Sequence, residues 1–99
     1  MELKQIIYKL NRKQTQKSCE NLQSFVVATV FDMCRACGIS TSIECGLDFA
    51  FKKDEIGLGK SIVKNVLDDV LFKLNPNARD YFLYFLENDQ PNAEYEVVE

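Results

Sequence analysis

Residues 39–52, Ile39-Ser-Thr-Ser-Ile-Glu-Cys-Gly-Leu-Asp-Phe-Ala-Phe-Lys52, decide the fold class. Ile39, Thr41, Ile43, Cys45, Leu47, Phe49 and Phe51 alternate with Ser40, Ser42, Glu44, Gly46, Asp48, Ala50 and Lys52. Strict alternation sends every second side chain to one face, the pattern of a half-buried strand. The competing reading is a helix capped by Ser40, with Ile43, Leu47, Ala50 and Phe51 inward. A two-residue hairpin at Cys45-Gly46 would set positions 44 and 47 opposite each other and break the alternation. One extended strand, bent at Gly46, is therefore expected. A lone strand is not stable by itself, so its partner is expected in residues 94–98 or in the same strand of a second copy.

Outward from this stretch the pattern is helical. Leu3, Ile6, Ile7 and Leu10 recur at the spacing of a short amphipathic helix. Residues 11–16 are polar and read as a break, after which Thr15 or Ser18 can cap a second helix over about 17–37. Leu22, Phe25, Val26, Thr29, Val30, Met33, Cys34 and Cys37 form its stripe. Val27 and Phe31 lie off the stripe, so this helix should be central, with neighbours on more than one side. Gly38 is placed to end it in the left-handed conformation. Ile62, Val63, Val66, Leu67, Val70, Leu71 and Leu74 predict a third helix near 59–74. Asn75-Pro76 predicts its end and the cap of a fourth helix over about 76–88, packed through Phe82, Phe85 and Leu86 and neighbouring the third. The expected fold is mostly α, with about four helices and one strand near 41–51. A single compact domain would span 1–88, followed by an acidic tail at 89–99.

Composition narrows the function classes. The chain has 99 residues, 46% hydrophobic and 27% charged, which suits one globular domain with a modest core. No apolar run approaches the ~18 residues of a membrane span. The first residues do not form a signal segment, so a cytoplasmic protein without membrane contact is expected. Histidine is absent from the sequence, which removes imidazole bases, imidazole metal ligands and the usual partners of Ser and Cys nucleophiles. The carboxylates Asp68 and Asp69 are adjacent on a helix and point about 100° apart, and Glu44 and Asp48 would lie ~13 Å apart along a strand. Neither pair has the facing geometry of a general acid and base. The chain is read as a non-enzyme without a cofactor.

Charge is segregated. Residues 1–17 carry Lys4, Lys9, Arg12, Lys13 and Lys17 against Glu2, a net of +4; residues 80–99 carry Asp80, Glu87, Asp89, Glu94, Glu96 and Glu99 with no base, a net of −6. The whole chain is at −3. This balance weighs against nucleic acid as the main partner and suits a basic protein, because complementary fields speed encounter.

Two motifs resemble chemistry. Cys34-Arg-Ala-Cys37 is a C-x-x-C which, with Cys19 and Cys45, supplies the four thiolates of a closed zinc site. The spacing lacks the second C-x-x-C of a zinc ribbon, so the cysteines are read first as core residues, with zinc as the alternative. The C-x-x-C also closes a helix, where the dipole does not favour thiolate. Gly57-Leu-Gly-Lys60-Ser61 matches the end of a phosphate-binding loop, but the first glycine of that pattern is replaced by Asp54. It is read as a turn and helix start.

The surface signal lies on the third helix. At about 100° per residue, Phe72 falls on the polar side among Asn65, Asp68 and Asp69. Leu83 and Tyr84 fall off the inward face of the fourth helix, with Glu87 one turn on. Aromatics ringed by acids have the character of an interface centre with a charged rim. Asp68, Asp69, Phe72, Leu83, Tyr84 and Glu87 are therefore the expected partner-binding residues. The expected function is that of a small acidic interaction protein that binds and neutralises a larger basic protein, such as a toxin or a host enzyme, in the manner of an immunity protein or a phage inhibitor. The alternatives are a homodimeric regulatory protein and a small zinc module built on the four cysteines.

Overall fold

The computed structural model describes residues 2–89 and has the element order α1 (Leu3–Arg12), α2 (Gln16–Ala36), β1 (Thr41–Ile43), β2 (Phe49–Phe51), α3 (Ile56–Lys73) and α4 (Pro76–Tyr84). The mostly helical, single-domain reading holds, with four helices and a small two-stranded sheet among the described residues. Of the tail expected at 89–99, residues 90–99 lie outside the described residues, as does the strand partner sought at 94–98.

The centre is α2. Thr15 caps it by accepting a hydrogen bond from the Ser18 amide at 3.1 Å, which satisfies one of the first-turn donors. Cys19, Leu22, Val26, Val30 and Cys34 are buried along one side, where α1 and α3 both pack. The rest of the predicted stripe grades outward: Phe25 and Thr29 are half-buried, and Met33 and Cys37 are exposed. Phe31, off the stripe, meets Phe49 edge-on with ring centroids 5.8 Å apart, so the hairpin covers a further side of α2. At the C-terminal end Gly38 adopts φ +72°. The Ile39 amide bonds the Cys34 carbonyl at 2.8 Å and the Gly38 amide bonds the Arg35 carbonyl at 3.1 Å. These two bonds make a Schellman motif, with Ile39 buried beside Cys34 as its apolar contact.

Segment 39–52 is a hairpin and not one extended strand. Thr41 pairs with Phe51 and Ile43 with Phe49, antiparallel. The connection is the five-residue loop 44–48, with Gly46 at φ +53°. An odd loop sets odd positions opposite odd positions, so the alternation runs unbroken through the turn. Only an even, two-residue turn would break it. The strand partner is thus the segment's own second half, and Phe49 and Phe51 pack against the core.

A short 3-10 turn, Lys53–Glu55, leads directly into α3, which starts at Ile56, three residues before the predicted Gly59. Gly59, Ile62, Val66 and Val70 are buried. A Cβ on Gly59 would overlap the ring of Phe51, so this glycine is explained by close packing of the hairpin on α3 and not by a phosphate.

α4 has Asn75 as its cap, whose Oδ1 accepts from the Ala78 amide at 2.8 Å, and Pro76 in its first turn. The helix predicted to 88 gives way after Tyr84 to a π-helical turn, Phe85–Asp89. Ala78, Phe82 and Phe85 are buried. α4 was expected to neighbour α3, but its clearer packing is against α1. Asn11 at the end of α1 holds the corner: the Asn75 amide donates to Asn11 Oδ1 at 2.8 Å, and Asn75 Nδ2 donates to the Asn11 carbonyl at 3.1 Å.

Two substitutions test this architecture by thermal or urea unfolding. Gly59→Ala should destabilise by about 1–2 kcal/mol, overpacking outweighing the helix-propensity gain, and Phe51→Leu in the same chain should recover most of the loss. Asn11→Ala should cost about 1–2 kcal/mol, and a double-mutant cycle with Asn75→Ala should show coupling between the two.

Candidate functional site

Burial of Ile62, Val66 and Val70 fixes the rotation of α3 about its axis. Phe72 lies two residues, about 200°, past Val70 and so points away from the core. It is 87% exposed, the most of any large apolar side chain among the described residues. Asp68 and Asp69 flank it one turn earlier, both exposed. The hairpin does not cover the Phe72 ring.

The two acids are not bare charges. Lys64 Nζ sits 2.6 Å from Asp68 Oδ2, and Lys73 Nζ sits 3.0 Å from both oxygens of Asp69. Both are exposed i,i+4 pairs, worth a few tenths of a kcal/mol each. Their effect on the site is larger than their stability: the face around Phe72 is locally near neutral, with alternating signs. An acidic patch was expected here; the structure has an aromatic side chain framed by ion pairs.

Beside this face is a groove of about 310 Å³ between α1, α2 and α3. Leu3, Phe25, Met33, Val66 and Val70 line it, and Asp69 stands at its edge. Asp69 therefore belongs both to the Phe72 face and to the groove. Sequence reasoning missed the groove, although Met33 is a signal for it: a long apolar side chain at the margin of the α2 stripe, left 41% exposed.

Leu83, Tyr84 and Glu87 are exposed on α4 and the turn that follows it, with Leu83 36% and Tyr84 57% exposed. Among the described residues no hydrogen bond or ion pair links them to the Asp68, Asp69 and Phe72 group, whose polar contacts run along α3. The six predicted residues thus come from α3, from α4 and, for Glu87, from the turn after it.

The cysteines do not converge. Cys19 and Cys34 lie 15 residues apart on one helix, about 22 Å along its axis, so one ion cannot bind both. No group of three or more Cys, Asp or Glu side chains among the described residues is placed to hold a metal. This corrects the four-cysteine zinc alternative. The core reading holds for Cys19 and Cys34 and fails for Cys37 and Cys45, which are exposed. Burial raises the pKa of the Cys34 thiol, and the charges of Cys37 and Glu55 raise it further. Glu44 and Asp48 sit at the two ends of the hairpin loop, with the Glu44 amide bonded to the Asp48 carbonyl at 3.2 Å.

None of the described helices is long and apolar enough to cross a membrane. Comparison of the chain with protein-family models, with curated proteins and with solved structures returns no match.

Thiol labelling checks the cysteine placement. The native protein should show two fast thiols, Cys37 and Cys45, and two that react only on unfolding. Because the folded pKa of Cys34 is raised, its contribution to stability is complete below the ordinary thiol value of 9.0 and is lost as pH climbs past it. Cys34→Val should therefore flatten the fall in stability measured between neutral and alkaline pH.

Proposed function

We propose that the chain is a non-enzymatic interaction protein that binds a larger basic protein and neutralises or inhibits it, as immunity proteins and phage-encoded inhibitors do. The observation that carries this reading is Phe72, 87% exposed on a helix whose other large apolar side chains are mostly covered. Leaving a phenylalanine in water forgoes about 2 kcal/mol of burial, a cost that binding recovers when a partner covers the ring.

Phe72 serves as the anchor of the contact. A projecting apolar side chain from the partner enters the adjoining groove, and Asp68 and Asp69 form the rim. Since each acid already has a lysine, a partner arginine exchanges with Lys64 or Lys73 instead of meeting an unpaired charge. That exchange contributes little affinity and sets orientation. The long-range attraction for a basic partner comes from the sequence-wide acidity, above all residues 80–99 at a net of −6. Leu83 and Tyr84 on α4, with Glu87 on the turn after it, supply a second contact set.

Native mass spectrometry of the protein, purified gently from its own host, tests this reading. A stoichiometric complex with a basic protein is expected, weakened at high salt. Phe72→Ala should lower its affinity about 30-fold, the effect of a 2 kcal/mol anchor, while leaving the melting temperature of the free chain within about 2 °C, as for an exposed position. Purification as a bare chain or as a homodimer, or a complex indifferent to Phe72→Ala, would overturn it.

A further inference from the structure

α1 and the start of α2 carry a surface of opposite character to the rest of the chain. Lys4, Lys9, Arg12, Lys13 and Lys17 fall within 14 residues, and no acid stands between Glu2 and Glu20. None of the five makes an ion pair among the described residues, whereas Lys64 and Lys73 on α3 are both paired. Tyr8, Lys9, Arg12, Lys13, Thr15 and Ser18 line a cleft of about 500 Å³ where the end of α1 meets the start of α2.

Tyr8 gives the cleft a second chemistry. Its ring is 60% exposed. The Arg12 guanidinium lies 5.5 Å from the ring centroid and donates a hydrogen bond to the Tyr8 hydroxyl at 3.2 Å. Arg12 thereby steadies the ring without burying it.

We infer that this cleft binds single-stranded nucleic acid, with Tyr8 as a stacking platform for an unpaired base and Lys9, Arg12 and Lys13 contacting backbone phosphates. Cations alone would serve an acidic peptide equally well. The exposed ring among them favours a ligand that has both a negative backbone and flat faces to stack. A duplex presents no free base face, so the single strand is the form that uses both features. The net charge of −3 slows encounter but does not remove the contact, because at physiological salt fields are screened over about 8 Å and the nearest charges govern. Nucleic acid is thus placed on a surface distinct from Phe72, and stands independently of the protein-partner reading.

Fluorescence anisotropy with a labelled oligouridylate of about 12 nucleotides tests this. Binding is expected at low salt and should weaken as salt rises. Tyr8→Leu should reduce affinity about tenfold, within the usual stacking contribution of one base, with the salt slope unchanged. Lys9→Gln with Lys13→Gln should lower the slope by about 1.4, as expected for two lost single-strand phosphate contacts. Phe72→Ala should leave binding as it is. No binding at low salt would overturn the proposal. So would binding indifferent to Tyr8→Leu, or equal competition by a polyglutamate peptide, which would assign the cleft to an acidic protein segment.

Discussion

The structure depends on the burial of α2 between α1 and α3. Leu22, Val26 and Val30 are wholly shielded from solvent, and each contributes about 1.5–3 kcal/mol of transfer free energy relative to exposure. A helix covered by several neighbours cannot rotate without exposing one of its apolar rows. That constraint fixes the rotation of α3 through Val66 and Val70, and so determines that Phe72 faces outward. The hairpin depends on it as well, because Phe49 needs the flank of α2 that carries Phe31.

The helices were legible because their apolar residues keep a helical period and their ends carry specific chemistry. Thr15, Gly38 and Asn75 do in the structure what their residue types suggest. Segment 39–52 was half legible. Alternation identified β structure but could not distinguish one strand from a hairpin, because a five-residue connection preserves the phase of the pattern. The parity of a loop leaves no trace in composition. Asn11 was illegible for another reason: a polar residue in a polar stretch gives no hint of a partner 64 positions away.

At the candidate site the exposure of Phe72 follows from helical angles alone, and the structure agrees. The pairing of Asp68 and Asp69 with lysines was equally available, since Lys64 and Asp68, like Asp69 and Lys73, stand four apart. Counting the acids without their i,i+4 partners made the face look more negative than it is. Beyond the hint of Met33 the groove was not readable, because its walls come from three helices whose relative positions only tertiary packing sets. The physical picture is of a near-neutral face with an aromatic centre on α3, and a separate unpaired basic cleft at the junction of α1 and α2.

The hairpin has a consequence for the protein's behaviour in a crowded solution. A two-stranded sheet leaves outer backbone donors and acceptors on both margins, the usual template for strand addition. Here each strand is only three residues long, which offers an incoming chain very few ladder bonds. Thr41 Oγ1 also donates to the Ala50 carbonyl at 2.8 Å, a bond inside the hairpin that ties its two strands together. Shortness thus limits strand addition at this surface, and a substitution that lengthened the ladder would weaken that limit.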